Sequence, residues 1–577
     1  MSRAEISLLM GFAFVFPFAG AVLLAIAGGQ QRARRFLAVV YAAGAVGIGL
    51  ALMSGYLQNP ARGVWGPIKF SSFSFPAFLI MNLLGVAGVL YAGFRSSSVK
   101  RPGVLTASIA AACGFGALAL VVTTLLPLVG LWLGASVAAL IGLLTHGGDG
   151  LRRRLRAFVP WIVSDGLLVL GAVLCYVWLK ETAILIKPPL TAGSEAAVVT
   201  VVALFLASAL IRLGVFPLHF WVGDLTGRTD PSWSSFYLGG LNLLLAGSRL
   251  VIAITLLGRL VASDWGLALA VAGLVSIAAG PLIAATSKNV RGTVAGMYCL
   301  QSGFLLFSLA LFSRAGLESG LFLLLTAPLF MTAFLMAVGT AADLRGTGVL
   351  GEQLIAARAA PAALVVMLFT GMALVGLPPT DGFIGKSMAV LASLDKSVAT
   401  QFYALAMAIA LAALAVALLG VLRLLGGTFT GDRPGAALRR SAPFEGAVPL
   451  ALCGVSLLIG LFPGLLLGNF LRGASRLLIA AGFQGPGVAF RGTGDPVSTA
   501  LNAYPVWAPV VVAVFLVLLA VVLVSYFSSR AAHPSEGPAG RKAPFVGGAQ
   551  GTFSSSWPAM ERSRAAVRML RRPGGRT

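Results

Sequence analysis

Apolar runs of about 20 residues, separated by short polar or glycine-rich loops, follow one another along most of this chain. A helix needs roughly 20 apolar residues to cross a bilayer core. The runs at 5–27, 35–58, 70–94, 104–122, 124–144, 157–180, 196–215, 233–256, 263–285, 292–313, 316–341, 360–395, 402–425, 445–469 and 505–528 predict about fifteen such spans. The expected fold is an all-α polytopic membrane protein. Two of these patterns are broken from within. LVGLPPTDGFIGK at 374–386 sets prolines, glycines and Asp381 in mid-run, with Lys386 close behind, and GVFPLHFW at 214–221 follows Arg212. A break frees backbone groups that lipid cannot satisfy, so it points to a hydrated or protein-lined site, unless Pro and Gly simply kink packed helices.

Composition agrees: 58% of the 577 residues are hydrophobic and 10% charged, and the mean hydropathy is +0.94. The first apolar run starts almost at once and lacks a basic leader, so it reads as a span and not as a cleavable signal. The net charge of +24 comes from 42 basic and 18 acidic residues. It follows topology and does not call for nucleic acid. RARR at 32–35, FRSSSVKR at 94–101, LRRRLR at 151–156, SKNVR at 287–291 and RLLGGTFTGDRPGAALRR at 423–440 all fall on one side if every span alternates. The positive-inside rule then puts the N-terminus outside and the C-terminus in the cytoplasm of a cell inner-membrane protein. The tail from 529 carries nine Lys or Arg amid Gly, Ser and Pro, and suits an anionic lipid surface or an acidic partner. NFLRGASRLLIAAGF at 469–483 has the pattern of an interfacial amphipathic helix.

Cys113, Cys175, Cys299 and Cys453 lie far apart in apolar runs, and His146, His219 and His533 form no ligand set, so neither metal nor cofactor is expected. The ionisable residues at depth are few: Asp165, Arg212, Arg249, Asp381 and Lys386. Such residues are costly in lipid and are candidates for ion translocation. His219 and Asp224, in the turn after the first break, fit either proton entry or simple packing of that turn.

These residues carry a resemblance. FPLHFWVGDL with Pro231–Ser232, GLPPTDGFIGK, and SKNVRGTVAGMYCLQSGFLLFSLAL with Arg291 and Gln301 resemble the signatures of the antiporter-like membrane subunits of respiratory complex I and of Mrp-type antiporters. AFVPWIVSDGLLVLG, around Asp165, is most similar to the longest complex I subunit of this type. The resemblance covers roughly 120 to 430. It implies two inverted repeats, each with a broken helix, and a Lys, Glu and His relay that moves protons or sodium. On that frame the chain divides into N-terminal helices (1–103), a first repeat (104–260), a second repeat (261–430), C-terminal helices and an interfacial connection (431–528), and the basic tail (529–577).

The implied relay is incomplete here. Trp132 stands where the glutamate is expected, Arg212 for its partner lysine, Leu244 or Leu245 for the bridging lysine, and Met331 and Ala327 for the central lysine and histidine. Lys386 alone is retained. An arginine does not deprotonate, so Arg212 is a fixed charge and needs a counter-charge, for which Asp165 is available. The resemblance implies a membrane subunit of a hetero-oligomeric assembly, not a free-standing enzyme. The chain has no nucleotide loop, no cluster ligands and no quinone signature of its own. The alternatives are a non-conducting scaffold or anchor, or the energy-coupling partner of an inorganic-carbon uptake complex.

Overall fold

The computed structural model describes residues 3–58, 64–65, 68–95, 99–146, 150–179, 195–257, 262–345, 350, 360–397, 401–429 and 443–478. Almost all of them are helical. The exception is a two-residue antiparallel ribbon pairing Val64–Trp65 with Ile68–Lys69.

In chain order the helices are α1 (Arg3–Ala27), α2 (Gln31–Gln58), α3 (Ser74–Phe94), α4 (Pro102–Ala119), α5 (Leu125–Leu144), α6 (Leu151–Leu179), α7 (Glu195–Leu213) and the short α8 (Phe220–Thr226). Next comes α9, which starts at Pro231–Ser234, widens to a π-helix over Ser235–Asn242 and returns to α over Leu243–Leu257. Then follow α10 (Ala262–Thr286), α11 (Val290–Ala310), α12 (Arg314–Arg345), α13 (Pro361–Val375), α14 (Asp381–Ser397), α15 (Gln401–Phe429) and α16 (Pro443–Leu461). A last helix, α17, runs from Gly464–Leu466 through a π segment, Leu467–Leu471, to Arg472–Leu478. Among the described residues 13 helices are long and apolar enough to span a bilayer. The interrupted run 360–395 is the pair α13 and α14. The last expected span, 505–528, lies outside the described residues, as do the tail and the connection from 479 on.

The helices sort by lipid exposure. Every residue in the apolar stretches of α11 and α12 is buried, whereas most of α1 and α2 faces outward. Side chains such as Phe12, Ile26 and Phe36 are exposed there, as lipid-facing positions should be. Small residues let the central helices touch backbone to backbone. A methyl at Gly280 of α10 would come within 2.7 Å of Leu300 N on α11, and one at Gly303 within 2.8 Å of Ile277 N. Such contact is the main source of helix association where no water is left to expel.

Alternation of the spans is visible in the loop contacts. Arg95, after α3, pairs with Asp343 at the end of α12 and lies 3.8 Å from Asp230 before α9. The Asp230 amide donates to His146 Nε2, after α5, at 2.7 Å. The Leu350 amide donates to Lys288 O at 2.9 Å. These loops therefore share one face. Ser475 of α17 donates to Glu318, at the start of α12, at 2.9 Å on the other. The described part of the segment expected to be interfacial thus packs on the bundle, with Leu471 and Ala474 buried.

Candidate functional site

Both breaks are built alike. Each places a glycine in the left-handed region, Gly214 at φ 64° and Gly376 at φ 82°, and each has a cis X–Pro bond three residues on, Phe216–Pro217 and Pro378–Pro379. An L side chain would be strained at either glycine.

At the first break the charges expected at Asp165 and Arg212 meet, and Arg249 joins them. Arg212 Nη1 donates to both oxygens of Asp165 at 3.2 Å, and Arg249 Nη2 donates to Oδ1 at 2.9 Å. All three side chains are buried. Arg212 is held on every side: Nε donates to Asn242 Oδ1 at 2.6 Å, Nη2 donates to Ser136 Oγ at 3.0 Å, and its guanidinium carbon lies 3.7 Å from the centre of the Trp161 ring. Arg249 Nη1 donates to Ser164 Oγ at 3.2 Å and Ser208 Oγ at 3.3 Å. The Trp132 ring, standing where the resemblance expects a glutamate, lies beneath Arg249 at 4.8 Å. An aromatic face attracts a cation without being able to take its proton. Two guanidiniums and one carboxylate leave a fixed net charge of about +1, since arginine does not titrate.

The carbonyls freed at this break are also capped. Arg212 O accepts from Asn242 Nδ2 at 2.7 Å, Leu213 O from Ser302 Oγ at 2.6 Å, and Ile211 O from Trp221 Nε1 at 3.2 Å. Asn242 donates again from Nδ2 to Tyr298 Oη at 2.7 Å. With its oxygen on a donor and its nitrogen on two acceptors, the Asn242 amide has one usable orientation.

The second break is sparsely bonded. Lys386 Nζ donates to Ala373 O at 3.0 Å and lies between the rings of Phe304 (5.6 Å) and Phe330 (5.7 Å). Asp381 Oδ1 accepts from Gly382 N at 2.8 Å and Ser456 Oγ at 2.7 Å. Its Oδ2 has no partner among the described residues, although the residue is fully buried. The amide of Gln301 on α11 is likewise unpartnered and buried.

His219 stacks on Phe216 with ring centres 5.5 Å apart, and Asp224 pairs with Arg228 at the exposed surface. Neither reaches the buried charges. Leu244, Leu245, Met331 and Ala327, at the remaining relay positions, are buried among apolar neighbours.

Residues 129–415 match the family model described as NADH:quinone oxidoreductase/Mrp antiporter, transmembrane. That segment belongs to this family. It contains both breaks and the buried charges at them, Asp165, Arg212, Arg249, Asp381 and Lys386. NADH-quinone oxidoreductase subunit N 2 of Syntrophobacter fumaroxidans is 28% identical over 274 residues, covering 45% of this chain and 55% of its own length. Subunit 13 of the Thermus thermophilus enzyme is 29% identical over 336 residues, covering 57% of this chain and 69% of its own length. The match therefore spans little more than half of the first of these relatives. Among solved structures, a chain of the Mrp complex from Dietzia superposes with a TM-score of 0.72 at 21% identity, over 84% of this chain and 100% of that one. A chain of Thermus thermophilus respiratory complex I gives 0.66 at 21%, over 82% and 99%. At such identities the likeness is one of fold.

Sequence reasoning missed the residues that fix the first site: Asn242, Ser136, Ser164, Ser208 and Tyr298. Asn242 had a signal, being the one amide in the otherwise apolar run LGGLNLLLAG. The serines had none, because they are common in membrane helices.

Proposed function

We propose that this chain is a membrane subunit of a complex I-like or Mrp-like assembly in which proton or sodium translocation depends on Lys386, with Arg212, Asp165 and Arg249 as a fixed-charge post. The observation that carries the reading is the contrast between the two breaks of the family segment. One holds non-titrating cations, each hydrogen-bonded to several side chains, and the other holds a buried lysine with one carbonyl partner among the described residues. A desolvated lysine gives up its proton readily, so the second break is the one able to change state. The orientation proposed is N-terminus outside and C-terminus cytoplasmic in the cell inner membrane. It is supported by the shared face of the basic loops. Other membrane subunits are the proposed partners, with anionic lipid or an acidic partner at the tail. Any redox chemistry belongs to those partners.

The test is ion translocation by the intact assembly in liposomes. Lys386→Ala, with normal assembly, is expected to abolish it, and unchanged translocation would remove this subunit from the ion path. The second reading, a non-conducting scaffold, is favoured by the apolar packing of Trp132, Leu244, Leu245 and Met331 at relay positions. That outcome would support it.

A further inference from the structure

We infer that the charge cluster behind the first break is a binding site for a small monovalent anion, with chloride as the ion its donors fit. The inference goes beyond the fixed-charge role proposed above and does not depend on Lys386.

The first observation is a set of orphaned donors. The indole Nε1–H groups of Trp132 and Trp161 and the Nε–H of Arg249 have no hydrogen-bond partner among the described residues. Their residues are 2%, 0% and 2% exposed, so neither lipid headgroups nor bulk water reach them. A buried donor left unpaired is costly unless a ligand or an internal water meets it. All three belong to one cluster. The Trp161 ring lies on the Arg212 guanidinium and the Trp132 ring on that of Arg249, and both guanidiniums hold Asp165.

The second observation is the charge balance, which is independent. Two guanidiniums face one carboxylate, and no other acidic side chain pairs with either among the described residues. The C-terminal end of α7 offsets part of the excess, by roughly −0.5 of a charge. Its carbonyls at Ile211, Arg212 and Leu213 are, however, already taken by Trp221, Asn242 and Ser302. A net positive charge held away from water calls for a counter-ion.

The donors name the ion. Every side-chain acceptor of the cluster is already bonded: both oxygens of Asp165 and the hydroxyl oxygens of Ser136, Ser164 and Ser208. What remains is donors alone. A water molecule there would have to donate its own hydrogens to atoms that are already occupied. An anion bearing an O–H has the same difficulty, and a dianion would replace one buried excess by another. A halide accepts from every side, donates nothing and carries the single charge required.

The neighbouring tryptophans show that pairing is the local habit. Trp221 and Trp233 both pack on the Trp161 ring, at 5.8 and 6.0 Å between ring centres. Their indole N–H groups donate to Ile211 O at 3.2 Å and to Ala139 O at 2.9 Å. Within this group of rings the two left without an acceptor are the two that lie against guanidiniums.

The test uses the whole assembly in lipid nanodiscs, washed free of chloride in sodium gluconate, with radiolabelled chloride as the probe. Saturable binding is expected, together with a rise in melting temperature under either sodium chloride or choline chloride and none under sodium gluconate. Trp132→Phe and Trp161→Phe keep a ring on each guanidinium and remove only the N–H. Each is expected to weaken chloride binding on the order of tenfold, the loss of one hydrogen bond to a charged partner, and each serves if the other fails to assemble. Trp233→Phe makes the same change where the N–H is spent on Ala139 O, and is expected to leave chloride affinity unaltered. Absence of saturable chloride binding by the unaltered assembly, or unaltered affinity in Trp132→Phe or Trp161→Phe, overturns the site. An equal loss in Trp233→Phe also overturns it, because the effect would then be one of ring packing. Translocation in Lys386→Ala tests the functional reading separately, so either can fail while the other stands.

Discussion

The two broken helices start from the same backbone device and end in opposite states. At the first break the carbonyls of Ile211, Arg212 and Leu213 and all three buried charges have side-chain partners. At the second, among the described residues, Lys386 meets a single backbone carbonyl and one oxygen of Asp381 has no partner. The difference lies in which neighbours the sequence supplies. Residues Asn242 and Ser302 reach the first break from α9 and α11. The second is flanked by Phe304 and Phe330, and its own Pro378 and Pro379 withhold donors. A saturated break is a structural joint, whereas an unsaturated one has spare coordination for an ion or water.

The comparison can be broken by mutation, and the effects should descend in order. Asp165→Ala strands two buried guanidiniums, and removing one partner of a buried ion cluster costs about 3–5 kcal/mol. Loss of folded protein in detergent is the expected result, read by melting temperature. The matching change at the second break, Lys386→Ala, is expected to leave melting temperature nearly unaltered while translocation falls on the order of 100-fold, the scale of a lost proton-transfer group. Asn242→Ala leaves Arg212 O and Arg212 Nε without partners, and a buried unpaired group costs about 1–3 kcal/mol. The account expects that destabilisation without a change in ion specificity. At the loop face, burial lowers the pKa of His146, and the guanidinium of Arg154 adds to this against the opposing pull of Asp230. The neutral ring is what accepts the Asp230 amide. Its contribution is present above the unfolded value of about 6.5 and is lost as pH falls from there through the folded one. A stability–pH profile should drop on acidification and flatten in His146→Ala. Smallest of all, Arg228→Ala removes an exposed pair with Asp224 and should cost about 0–1 kcal/mol.

Much of this was legible in the chain and some was not. The span boundaries follow from apolar length alone, and both breaks announce themselves through Gly and Pro. The Arg212–Asp165 contact follows from the cost of an unpaired charge in lipid. Arg249 as the second partner of Asp165 could not be read, because it depends on the rotation of α9. The π segment Ser235–Asn242 shifts that rotation and carries no periodic signal. The openness of the second break was half legible. Two prolines say that carbonyls are freed, but only the fold shows that no side chain among the described residues comes to meet them. Residues Trp132 and Met331 read as losses from a relay, and in the fold Trp132 has become the ring beneath Arg249.

Hydrogen–deuterium exchange of the lipid-embedded assembly, resolved to peptides covering 210–222 and 374–386, tests the central contrast most directly. The account predicts slow exchange for the amides after Gly214 and clearly faster exchange at Thr380 to Phe383. Equal protection at the two breaks, or faster exchange at the first, would contradict it.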